Sequence, residues 1–229
     1  MPTLTAASND GYIRSTGTSR TYWTGARDAT SGTSASSTST RYQFAVLVRV
    51  TGTGASTANN MFRSYFYFDC SGITSTVSSA TLKLFGYTSN SGDVIAVKSS
   101  APNTDGSTAL ATGDWDAIPG FAAGQSMAGN VTDYSAEVTS WSTSAYNSIT
   151  LNATALSDLQ NNNAFQVCVV NYDHDYLNVP PSSGTSAGNG LYYQDYSGTG
   201  TDPVIEYTLA TGDLASINTV AAGNIHRVQ

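Results

Sequence analysis

Apolar and polar residues alternate through most of the chain, and turn-forming residues separate the alternating stretches. The segment Tyr42-Gln43-Phe44-Ala45-Val46-Leu47-Val48-Arg49-Val50 reads as a strand that stops at Thr51-Gly52-Thr53-Gly54. A second strand is predicted over 61–68. Because side chains alternate across a sheet, Phe62, Ser64, Phe66 and Phe68 share one face there, and Met61, Arg63, Tyr65 and Tyr67 the other. Phe66 and Phe68 are expected to fill the core. Residues 80–87 alternate with Leu82 and Leu84 inward, and 93–98 follow a turn at Asn90-Ser91-Gly92. Further strands are predicted at 11–14, 147–151, 165–170, 190–193 and 203–207. Pro203 can open a strand without losing a ladder bond.

Residues 15–40 are rich in Ser, Thr and Gly, and read as a long loop with one short strand, anchored by Tyr22 and Trp23. One short helix is predicted at 154–160, with Thr154 as its cap and Ala155, Leu156 and Leu159 on its apolar side. Asp69 closes its strand and is expected to accept from backbone amides of the Ser71-Gly72 turn. Many short strands and a single helix predict an all-β fold, one β-sandwich over residues 1–209. After Ala210-Thr211-Gly212 the pattern changes. Leu214, Ile217, Val220, Ile225 and Val228 stud a short segment that cannot fold alone, so residues 210–229 are expected to dock, on the sandwich itself or on a neighbouring subunit.

Composition narrows the setting. Only 11% of the 229 residues are charged, against roughly 25% in ordinary domains. Hydroxyls and amides hydrate this surface, as suits a protein exposed outside a cell in variable salt. The net charge is −7, and Lys83 and Lys98 are the only lysines. No basic patch can neutralise a row of phosphates, so neither nucleic acid nor an anionic membrane surface is an expected partner. No apolar run approaches the ~18 residues of a membrane span. The opening Met1-Pro2-Thr3-Leu4 lacks the cationic and apolar regions of a secretory signal. That leaves a processed secreted chain, or a protein made in the cytoplasm and released with a virus particle. Cys70 and Cys168 each sit in an apolar strand, as buried thiols do; a bridge between them stays open, since spacing alone cannot set its geometry.

Catalytic signals are absent: no nucleophile elbow, zinc-type His pair or phosphate-cradling loop occurs. Glu137 and Glu206 are the only glutamates, and both lie in strand-like stretches. No cofactor is expected. The densest polar cluster is Asp173-His174-Asp175, whose Asp173 and Asp175 are candidate oxygen ligands for a metal such as Ca²⁺. The alternative is a hydrogen-bonded loop. Sugar rings pack on exposed aromatics. Trp115, between Asp114 and Asp116, and Tyr172 and Tyr176 beside the acidic cluster are the candidate glycan-binding side chains.

The stretch Arg63-Ser64-Tyr65-Phe66-Tyr67-Phe68-Asp69-Cys70-Ser71-Gly72-Ile73, with Ser79-Ala80-Thr81-Leu82-Lys83-Leu84 after it, resembles the DNRLRE-type domain. Looser matches are Tyr134-Ser135-Ala136-Glu137-Val138-Thr139-Ser140-Trp141 and the closing pair around Tyr192–Thr199 and Asp202–Tyr207. The resemblance spans residues 8–208. It implies a jelly-roll sandwich found in bacterial surface and secreted proteins, some of which bind polysaccharides, and in phage virions. It also implies that Trp141 is structural. The opening Asp10-Gly11-Tyr12-Ile13 and the closing Gly223-Asn224-Ile225 look more like the phage-borne versions. Tyr193-Gln194-Asp195 stands where the family carries an acid-and-arginine motif, so a role tied to that motif does not carry over. The expectation is a bacteriophage structural protein (capsid decoration, head fibre or tail-associated), located in the virion, with other virion proteins and further copies of itself as partners. The alternative is an extracellular, non-catalytic carbohydrate-binding module with a surface polysaccharide as partner. A subunit of a bacterial surface filament is a third reading.

Overall fold

A computed structural model of the chain describes residues 1–18, 22–52, 58–102 and 109–210. Among these, eleven strands form one antiparallel system. They are β1 (Thr3–Thr5), β2 (Gly11–Thr18), β3 (Ser34–Ser36), β4 (Arg41–Thr51), β5 (Ala58–Asp69), β6 (Val77–Asn90), β7 (Val94–Lys98), β8 (Tyr146–Thr150), β9 (Ala164–Asn171), β10 (Ser186–Tyr192) and β11 (Val204–Leu209). The strand order is β1-β11-β6-β10-β4-β5-β2-β3; β8 pairs with β6, and β9 pairs with both β5 and β7.

The long strand β6 joins two layers. Its first half pairs with β11 and β8, and its last residues with β10. Gly86 lies at the change of partner, where a Cβ would stand 1.8 Å from the Ser142 carbonyl oxygen. No larger residue fits that crossing. Leu82 and Leu84 of β6 point inward, as the alternation predicts. They meet Phe66, Phe68, Phe165, Val167, Ile149, Leu191, Tyr193 and Ile205 in the main core. The all-β sandwich is therefore as expected. Trp141 packs against this core and donates its indole N–H to the Gly190 carbonyl, 3.1 Å away.

A second core lies on the opposite face of β5 and β9. Met61, Tyr65, Ile95, Val97, Cys168 and Val170 are covered there by Trp23, Trp115, Ile118, Met127 and Tyr176. Strand β5 is thus buried on both faces. The two cysteines are free thiols, Cys70 in the main core and Cys168 in the second.

Helical content differs from the expectation of one helix. Residues read as loop form α1 (Tyr22–Arg27), which buries Trp23, Ala26 and Arg27. The predicted helix is present as α2 (Ala153–Asn161), but Asn152 caps it, accepting from the Ala155 N–H at 3.0 Å. A side chain one residue before the helix is the one positioned to reach that amide, so the Thr154 cap assignment is corrected. Short turns of 3-10 and π helix occur at Thr112–Asp114 and Tyr172–Tyr176. Asp69 behaves as predicted: its carboxylate accepts the Ser71 N–H at 2.9 Å, and hydrogen bonding from the Ser71 side chain, then from this N–H, holds its pKa below the ordinary value.

Strand β11 is hydrogen-bonded on both sides, to β1 and to β6, and Ile205 fills the core beneath it. One further bond runs from the Ala210 N–H to the Thr76 carbonyl. The segment carrying Leu214, Ile217, Val220, Ile225 and Val228 lies outside the described residues.

Candidate functional site: an aromatic and arginine-lined groove

The side chains singled out from the sequence are mostly interior. Trp115 is fully buried, with 0% exposure. Its indole N–H donates to the Arg27 carbonyl at 3.1 Å, and its own carbonyl accepts from Tyr65 Oη at 2.8 Å and Arg63 Nη1 at 2.7 Å. No ring face remains for a sugar, so the glycan role of Trp115 is corrected to core packing. Tyr176 is buried as well and donates its hydroxyl to Asp133 at 2.8 Å. Tyr172 is half-buried and stacks on Tyr176 with ring centres 5.2 Å apart, so its inner face is already taken.

The metal candidates separate. Asp175 turns inward and sits on Arg63, accepting from Nε at 2.7 Å and Nη2 at 2.8 Å. Arg27 lies 3.5 Å from the same carboxylate. Burial pulls the Arg63 pKa down, but the facing Asp175 charge more than offsets this and the net shift is upward. A carboxylate held by buried arginines has no coordination to offer, so Asp175 is structural. Asp173 faces outward and joins Asp93 and Glu137, with carboxylate oxygens all within 4.8 Å of one another. Partial burial and the Asp93 charge hold the Asp173 pKa above its ordinary value.

The two thiols and the described histidine are occupied by the fold. Burial pushes the Cys70 thiol up to about 11, and the Cys168 thiol further up. Neither is a thiolate at neutral pH. The His174 Nδ1 lies 2.9 Å from the Val179 carbonyl oxygen, and the ring packs edge-on to Trp23.

A different site emerges from strand register. On β2, β4 and β5, Arg14 and Leu47 lie opposite Phe62, while Thr16 and Arg49 lie opposite Asn60. Arg14, Leu47, Arg49, Asn60 and Phe62 line a groove of about 240 Å³ with Tyr42 and Phe44 from β4. Its rings form one cluster. Tyr12 stacks on Tyr42 at 4.2 Å, Tyr42 lies 5.5 Å from Phe62, and Phe44 lies 6.2 Å from Phe62. Two guanidinium groups frame the rings: Arg14 stands 5.9 Å from the Phe62 ring centre and Arg49 5.6 Å from that of Phe44. Arg14 also donates Nε to the Asn60 side-chain oxygen at 3.1 Å, which fixes its orientation.

A second aromatic patch lies on the outer side of β6 and β10. Phe85, Tyr87, Tyr146, Tyr192 and Tyr196 meet at steep angles of 69–81°. Arg41 covers Tyr87 at 4.5 Å and donates to Tyr192 Oη at 3.1 Å. These rings pack against one another edge to face and present no flat platform. No protein-family model matches the chain, and no curated protein matches it.

Proposed function

We propose that the chain is a non-catalytic structural protein of a bacterial-virus particle, serving as a decoration, fibre or tail-associated sandwich. The observation that supports this is the pairing of the last described strand: β11 already has partners on both edges, and Ile205 fills the core beneath it. The apolar residues Leu214, Ile217, Val220, Ile225 and Val228 follow that paired strand in the sequence. Apolar surface of this kind is stabilised by burial against a partner, and closed symmetric assemblies supply one. The sparse charge and hydroxyl-rich surface suit display in changing salt, and the likeness of Asp10-Gly11-Tyr12-Ile13 and Gly223-Asn224-Ile225 to the phage-borne versions of the DNRLRE-type domain points the same way. Tryptic peptides of the chain should appear in stoichiometric yield in gradient-purified particles. Their absence from particles, with the chain recovered only in the culture fluid, would count against this reading.

The groove between β2, β4 and β5 favours a second reading, a non-catalytic saccharide-binding module. Partly exposed rings beside fixed polar groups are what a sugar needs, since its C–H face packs on the ring while its hydroxyls take hydrogen bonds. The two readings are compatible, because a displayed particle protein can also grip a cell-surface glycan.

A further inference from the structure

We infer that the groove between β2, β4 and β5 accommodates one sugar ring bearing an oxyanion, a carboxylate, sulfate or phosphate, from a surface polysaccharide. This rests on the saccharide reading above and names the ligand's charge. The argument starts from the distribution of cations. The chain has nine lysines and arginines, of which Arg20 and Arg227 lie outside the described residues. Of the remaining seven, Arg27, Arg63, Lys83 and Lys98 are ion-paired. Arg14, Arg41 and Arg49 have no carboxylate partner among the described residues.

That pattern is unexpected in a protein with a net charge of −7, where carboxylates outnumber cations. Each of the three instead lies over an aromatic ring. Two of the three converge on one groove. No carboxylate lines it; its residues are Arg14, Tyr42, Phe44, Leu47, Arg49, Asn60 and Phe62. Guanidinium groups pair with planar oxyanions through two parallel N–H bonds. Arg14 directs Nε and Nη2 at Asn60, which leaves Nη1 for a ligand. Arg49 is exposed and makes no ion pair among the described residues, so its whole fork is available.

Size limits the ligand. At about 240 Å³ the groove is smaller than the roughly 300–1,000 Å³ of pockets that enclose a drug-sized molecule. It holds one ring lying on the partly exposed Phe44 and Tyr42, above the buried Phe62, with the rest of the polymer running out into solvent. Neutral sugars would gain the ring contact but leave both guanidinium groups without a charged partner. Acidic sugars gain both.

The test uses the intact chain and three polymers: dextran, dextran sulfate and polygalacturonate. Affinity electrophoresis or titration calorimetry should show at least one charged polymer bound tenfold or more tightly than dextran, and binding should weaken with added salt. Which charged polymer wins identifies the oxyanion. Arg49→Gln should weaken binding roughly 10- to 100-fold, as expected for loss of a hydrogen bond to a charged group, and Phe44→Ala should weaken it as well. Arg41→Gln, outside the groove, should leave it unchanged. Equal binding of dextran and both charged polymers would overturn the charge inference while leaving a saccharide site in place. No binding to any polymer would remove the saccharide reading too. Equal loss in Arg41→Gln and Arg49→Gln would show diffuse charge attraction and would overturn the site.

Discussion

Replacing Asp175 by Asn should destabilise the sandwich more than an exposed-loop substitution can. Asp175 is buried, and its carboxylate takes two N–H groups from Arg63, which has 0% exposure. The amide keeps the shape but removes the charge and turns an N–H₂ toward a guanidinium that can only donate. Arg63 is then a buried cation with no counter-charge. Removing one member of a buried pair costs about 3–5 kcal/mol. For a domain of this size each kcal/mol lowers Tm by roughly 2–4 °C, so the fall should be on the order of 6–20 °C. Arg27, a second buried guanidinium 3.5 Å from the same carboxylate, offers no compensation, and keeps only Asp28 and the Asp175 and Gln125 backbone carbonyls as partners. The double change Arg63→Met, Asp175→Leu should recover much of the stability, since the charge and its desolvation disappear together. The Trp115 carbonyl would still accept from Tyr65 in that variant. Thermal and urea unfolding of the three proteins at pH 7 give the comparison. An Asp175→Asn protein that melts within a degree or two of the original would refute the buried network. A double variant no better than the single one would place the cost in packing rather than in charge.

Other outcomes follow from the same contacts. Phe66→Ala, at a fully buried ring stacked on Tyr193, should cost about 3–5 kcal/mol in urea unfolding; a near-neutral effect would mean that Phe66 does not fill the main core. Burial, with help from Asp195 and Asp202, holds the Asp10 carboxyl well above its ordinary value against a hydrogen bond from the Gln194 N–H. The folded state therefore binds this proton more tightly than the unfolded chain, and stability falls as pH rises from about 3.9 through the raised value. Asp10→Asn should accordingly raise Tm at pH 7 and lose that advantage near pH 4; a gain of the same size at both pH values would contradict the burial argument. Incubation with neutral and acidic polysaccharides should release no reducing ends, and turnover that vanishes on mutation of a single carboxylate would disprove the non-catalytic assignment.

The strands were legible because alternation is a local property. Leu82 and Leu84 in β6, and Phe66 and Phe68 in β5, announce their inward face by spacing alone. Asp69 and its turn are equally local. What was not legible depends on residues far apart in the chain. Arg63 reads only as a residue on the face of β5 opposite Phe66, since its partner Asp175 lies 112 positions away in the second core. Trp115, flanked by two aspartates, reads as an exposed loop tryptophan for the same reason. Its burial requires α1 and the turn at Tyr172–Tyr176 to fold over it, and α1 is hidden in a run of Ser, Thr and Gly. The groove needs register between β2, β4 and β5. Tyr42 and Phe44 show the alternation, but nothing local places Arg14 opposite Phe62 or Arg49 opposite Asn60.

The measurement that bears most directly on the assembly role is the oligomeric state and melting of the full chain beside a version ending at residue 210. Light scattering after gel filtration gives the mass, and calorimetry gives Tm. Among the described residues β11 is already paired on both sides, so the shortened chain should melt at the same temperature but run as a monomer while the full chain assembles. A shortened chain that melts far earlier, or a full chain that is itself a monomer, would contradict the proposal that residues 211–229 serve assembly.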